Sequence, residues 1–184
     1  MTEQERAVSP VISTVLMVAI VVIIAATISV FVLGFAEDIQ DPGPVVAEST
    51  GEFVAGSAGD EQVVRITHLA GDTVNIENIE IVVKAPDCGK QARLVDLPGD
   101  GYFDYTLSDE NIQGNKNLIS QGFAAENDGP IYIEEDNKWT AGETISFRIA
   151  VGGCDFRKPE NSELDVLVIH TQSNKILIEE HFLV

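Results

Sequence analysis

The sequence predicts a long N-terminal hydrophobic α-helix followed by an all-β, immunoglobulin-like antiparallel sandwich. Two patterns carry this. Ala7 through Ala36 contain no charged residue, an apolar run of helical length. Beyond about residue 60, short segments alternate apolar and polar side chains and are separated by Gly, Pro, Asn and Asp.

The helix comes first in the chain. At ~1.5 Å rise per residue, the ~29 residues of 8–36 reach ~44 Å, beyond the ~30 Å hydrocarbon core of a bilayer. About eighteen large apolar side chains lie between Val8 and Phe35, each worth ~1.5–3 kcal/mol when removed from water. Such a rod sits in lipid or among other helices. Glu3, Glu5 and Arg6 precede it, and Glu37 and Asp38 follow. Arg6 favours a cytoplasmic N-terminus, which places the C-terminal domain outside. The run is about twice the ~7–15 residues of a secretory signal core, which disfavours ordinary signal cleavage. Ser9 suits an N-cap and Pro10 a first helical position, so the residues predict a helix beginning there. Within it, Ala25 and Ser29 stand four apart and Ala19 and Ala26 seven apart. Small residues at these intervals let helix backbones approach closely.

A linker is expected over 37–50, where Asp41-Pro42-Gly43-Pro44 opposes helix continuation. The head is expected over 51–184, enough chain for one core. Residues 62–69 alternate, with Val64, Ile66 and His68 on one face. Residues 70–72 read as a turn, and 79–84 as a strand stopped by Pro86. Strands are also expected at 131–134, 144–151, 164–171 and 175–182, with Ser173-Asn174 turning the last pair. Ala141-Gly142-Glu143-Thr144-Ile145 echoes Ala70-Gly71-Asp72-Thr73-Val74, a shared turn-into-strand chemistry.

Thirty acidic against 11 basic residues give a formal charge of −19. Such a field repels nucleic acid and excludes it as a partner. It suits either a surface adapted to concentrated salt or an acidic exported domain. Cys88 and Cys154 are the only cysteines, and both lie in Gly/Pro-rich loops. They can form one disulfide or stay free thiols; metal binding by the pair lacks a CxxC spacing or a nearby His. No catalytic constellation is found, and no cofactor or metal is called for. His68, His170 and His181 fall in expected strands, and GxSxG, HExxH and phosphate loops are missing. Asp96, Asp100, Asp104, Asp109 and Glu110 form an acidic loop without EF-hand order, best read as solvated acids. No Asn-x-Ser/Thr sequon occurs.

Arg6-Ala7-Val8-Ser9-Pro10-Val11-Ile12, a basic and a small residue before an apolar helix, resembles the class III signal of archaeal type IV pilins. The stretch AVSPVISTVLMVAIVVIIAATISVFVLG is similar to the N-terminal segment of haloarchaeal pilins, and residues 66–74 resemble a hairpin of their heads. The resemblance implies cleavage between Ala7 and Val8 by a membrane-embedded prepilin peptidase, with residues 1–7 as the leader. Arg6 is then the basic determinant and Ala7 the small one. It also implies a structural subunit that joins identical or related subunits in an extracellular adhesive filament. An assembly ATPase and a membrane platform protein would drive that step, and the membrane would hold the precursor. Bacterial type IV pilins carry a glutamate where this chain has Ile12, so the archaeal subtype is indicated. The alternative is an uncleaved, single-pass membrane-anchored β domain that binds a ligand or envelope component.

Overall fold

The computed structural model describes residues 3–37, 43–56, 62–99, 107–121, 131 and 137–184. The chain divides into two units, Met1–Asp41 and Pro42–Val184. The first holds one helix, α1 (Glu3–Glu37). It begins earlier than Ser9 and Pro10 would dictate, so Ser9 is inside the helix and is not its N-cap. The physical reason lies in the residues before it. Glu3, Gln4, Glu5, Arg6 and Ala7 are all good helix formers, and acids in a first turn complement the helix dipole.

The second unit is all β. Its strands are β1 (Val46–Ala55), β2 (Gln62–Gly71), β3 (Val74–Asn75), β4 (Ile79–Ala85), β5 (Lys90–Leu94) and β6 (Ile112–Gly114). They continue with β7 (Ile119–Ser120), β8 (Lys138–Trp139), β9 (Thr144–Ile149), β10 (Glu163–His170) and β11 (Lys175–Leu183). One sheet runs β1-β2-β9-β7 and the other β11-β10-β4-β5-β6, and every pairing is antiparallel. The first order is that of the A, B, E and D strands of an immunoglobulin domain. The second is that of its G, F and C strands with additions beyond C. A separate pair, β3 with β8, completes the set.

Alternation in the sequence becomes two facing layers. Val64, Ile66, Ile145 and Phe147 point inward from one sheet, and Ile81, Val83, Val166 and Val168 from the other; all eight are fully buried. His68 shares the inward face of β2, as its place in the alternation requires. Trp139 is fully buried and donates its indole N–H to the Glu143 carbonyl at 2.9 Å. Gly71 and Gly142, at matching places in the two echoed segments, both have positive φ, 135° and 99°.

The structure moves two expected boundaries. Residues 46–50 belong to β1, so the head starts before Gly51 and the linker is shorter than 37–50. The chain is fixed there because Val45 and Asp72 exchange two hydrogen bonds, Val45 N–H to the Asp72 carboxylate (3.0 Å) and Asp72 N–H to the Val45 carbonyl (2.9 Å). Gly43 is buried beside them; a Cβ there would come within 2.1 Å of Ser173 Oγ. Ile131 is a turn residue with φ of 62°, and the remainder of the expected 131–134 strand lies outside the described residues.

Candidate functional site

The candidate site is α1 itself. Its 35 residues reach ~52 Å at ~1.5 Å each. Val11–Val30 is long and apolar enough to cross a membrane, and none of it is covered. Its large apolar side chains, from Val11 to Val30, are 50% to 72% exposed. Aliphatic residues occupy all sides of the helix rather than one stripe, so no amphipathic packing on one soluble surface can bury it.

Three of the four hydroxyl side chains in this stretch are bonded to their own helix. Thr14 donates to the Val11 carbonyl (2.9 Å), Thr27 to Ile24 (2.8 Å) and Ser29 to Ala25 (2.8 Å). Hydroxyls bonded to their own helix carry little penalty in an apolar surrounding. Ala19, Ala25, Ala26 and Ser29 are all exposed and, at ~100° per residue, fall within a sector of ~120°. Arg6, Ala7 and Val8 lie on the helical backbone near its start.

Residues 6–47 match the family model for the archaeal type IV pilin N-terminal region. This segment is similar to the N-terminus of archaeal type IV pilins. The match covers nearly all of α1 and ends two residues into β1, at the point where the Val45–Asp72 pair fixes the chain to the head. An uncharacterized protein of Archaeoglobus fulgidus is 37% identical over 83 residues, which is 45% of this chain and 55% of the relative. The chain therefore spans about half the length of the curated relative that it matches. The pilin family is one of structural proteins, and the pilin segment coincides with the membrane-length helix.

Within the head, the structure joins Cys88 and Cys154 in a disulfide, with Cα atoms 5.8 Å apart. It ties the β4–β5 turn to the β9–β10 connection, which crosses from one sheet to the other. This end of the sandwich is opposite the end that Gly43–Val45 enter, because β1 runs from there toward Ala55. Three side chains reinforce it, Lys90, Asp87 and Gln62. The Lys90 ammonium donates to the Gly153 carbonyl. Asp87 accepts from the N–H groups of Ser162 (2.8 Å) and Glu163 (3.2 Å), and the Ser162 bond chiefly holds its carboxyl below the usual carboxylate range. Gln62 is fully buried; its amide donates to the Cys154 (2.7 Å) and Ile149 (3.3 Å) carbonyls and accepts from Phe156 N–H (2.6 Å). Phe53 packs edge-on against Phe156, with centroids 5.1 Å apart.

The histidines have packing or surface roles. His68 lies fully buried, edge-on to Trp139 at 5.6 Å. His170 Nδ1 shares a hydrogen bond with Ser173 Oγ (2.8 Å). His181 meets the Asp165 carboxylate, a bond that raises its pKa above the ordinary imidazole value. Of the acidic loop, Asp100 and Asp104 lie outside the described residues. Asp109 pairs with Lys116 (3.1 Å) and accepts from Gln121, and both lower its pKa. Sequence reasoning missed Gln62 and Gly43. A polar residue opening an apolar strand and a glycine between two prolines carry no local sign of their long-range partners.

Proposed function

We propose that this chain is a pilin subunit which polymerises into an extracellular type IV pilus-like filament used for adhesion. The observation that carries the reading is the coincidence of the pilin N-terminal match with a helix apolar on all sides. In this reading the precursor waits in the membrane, N-terminus cytoplasmic and head outside, with α1 surrounded by lipid. A prepilin peptidase then cuts between Ala7 and Val8. Cleavage removes Glu3, Glu5 and Arg6, whose charges would otherwise be buried unpaired among packed helices at large cost. An assembly ATPase and membrane platform move the helix from lipid to a bundle of identical or related helices. That exchange is nearly neutral in hydrophobic energy, because lipid tails are as apolar as the neighbouring side chains.

The small residues Ala19, Ala25, Ala26 and Ser29 supply the close approach that packing in the bundle needs. The acidic head, with 25 acidic and 10 basic residues over 42–184, carries −15 of the −19 formal charge and forms the outer surface of a filament working in concentrated salt. Arg6→Ala is the discriminating variant. The pilin reading expects precursor to accumulate and surface filaments to vanish, seen by immunoblot and electron microscopy. An unaffected chain that never polymerises supports the membrane-anchored β domain instead.

A further inference from the structure

We propose that Pro10 is the positioning residue for leader cleavage, because it leaves α1 without one rung beside the Ala7–Val8 bond. This rests on the cleavage reading above. The helix is continuous from Glu3 to Glu37, so the peptide to be cut lies within regular helix. A peptide bond in that state is a poor substrate. Its carbonyl, on Ala7, faces the N–H of Val11, and its N–H, on Val8, faces the carbonyl of Gln4. Hydrolysis requires water oxygen to bond to the Ala7 carbonyl carbon while the C–N bond to Val8 breaks and a proton passes to the Val8 nitrogen. The turn must open before a peptidase can deliver that water.

The sequence has placed its weakest turn there. Proline has no N–H, so the Arg6 carbonyl, one peptide before the scissile one, lacks the partner that every following carbonyl of the helix interior has. Pro10 is the only proline in α1. Proline also disfavours helical geometry at the residue before it, here Ser9. The two effects fall on 6–10, the turn that contains the scissile bond. By contrast, 11–30 is unbroken and apolar, so opening near the cut leaves the membrane-length segment intact. The free Arg6 carbonyl is also an acceptor that an extended strand of a peptidase could engage.

The test follows precursor-to-mature conversion of the full chain by pulse–chase in cells with the native peptidase. Membrane extraction confirms insertion of each variant. Pro10→Ala restores the rung and is expected to slow conversion about tenfold or more at equal insertion. Pro10→Gly restores the N–H but weakens the helix by backbone freedom, and is expected to recover most of the lost rate. Pro10→Ala cut as fast as the parent overturns the proposal while leaving the pilin reading intact. Equal slowing by alanine and glycine also overturns it, because the ring and not the helix weakness would then be read. A parent chain never cut between Ala7 and Val8 overturns both the proposal and the reading beneath it.

Discussion

Gln62 shows how one residue can set the stability of a whole end of the head. All of its amide bonds go to backbone groups of 149–156, so truncation orphans two carbonyls and an N–H in a dry site. Gln62→Ala is expected to lower unfolding free energy by about 2–3 kcal/mol. The exposed Gln91→Ala is expected to stay within about 0.5 kcal/mol of the parent. Denaturant unfolding of the full chain in detergent, followed by the fluorescence of buried Trp139, reads both. Two titrating groups give the pH profile its sign. Asp87 has a lowered pKa, so its contribution is present above the unfolded carboxylate value and fades as pH falls through the folded one. His181 has a raised pKa, so its contribution is full below the unfolded imidazole value and is lost as pH rises through the folded one. From about pH 6 to 8 the parent is therefore expected to lose a little stability, whereas His181→Gln stays flat. Identical slopes in melts across that range would contradict the assignment.

At the scale of elements, the Cys88–Cys154 bond closes a 66-residue separation and joins the two sheets. A Cys88→Ser, Cys154→Ser double variant is expected to lose about 2–4 kcal/mol, the usual cost of opening a loop of this size. A chemical denaturation midpoint unmoved by the substitutions would contradict this. The strands differ in how plainly they were written. β2 and β10 alternate most plainly, and they, the apolar β4 and β11 are each legible within two residues of their observed ends. β1 is not, because VAESTGEFVA lies at a sheet edge, exposed or half-buried throughout, and its acids and glycine blur the period. β5 reads Lys-Gln-Ala-Arg-Leu and carries only two buried residues, so its strand state comes from pairing with β4 and β6, which no local pattern shows. The helix is legible as a membrane-length rod, but its start at Glu3 is not. Ser9-Pro10 is a sound local start signal that the helix-forming residues before it override. Of the candidate site, the apolar run and small residues could be read directly, since composition alone defines them.

For the whole molecule, charge and apolarity are segregated along the chain. One unit is a rod that water rejects, and the other carries −15 of the −19 formal charge. At ~0.1 M salt the screening length is ~10 Å, and at ~1 M it is ~3 Å, so repulsion among the head's carboxylates falls steeply between them. The melting temperature of the head is expected to rise continuously from ~0.1 M to multimolar KCl; a flat or falling profile would contradict salt adaptation. The proposed pilin function would account for the segregation, with a helix for assembly and a head for the surface, and the similarity at residues 6–47 supports it. The most direct test is the N-terminal sequence and intact mass of subunits taken from sheared surface filaments. The expected result is a chain beginning at Val8, with α1 retained and residues 1–7 gone. Recovery of the protein only as membrane-bound monomers still bearing Glu3, Glu5 and Arg6 would contradict the account.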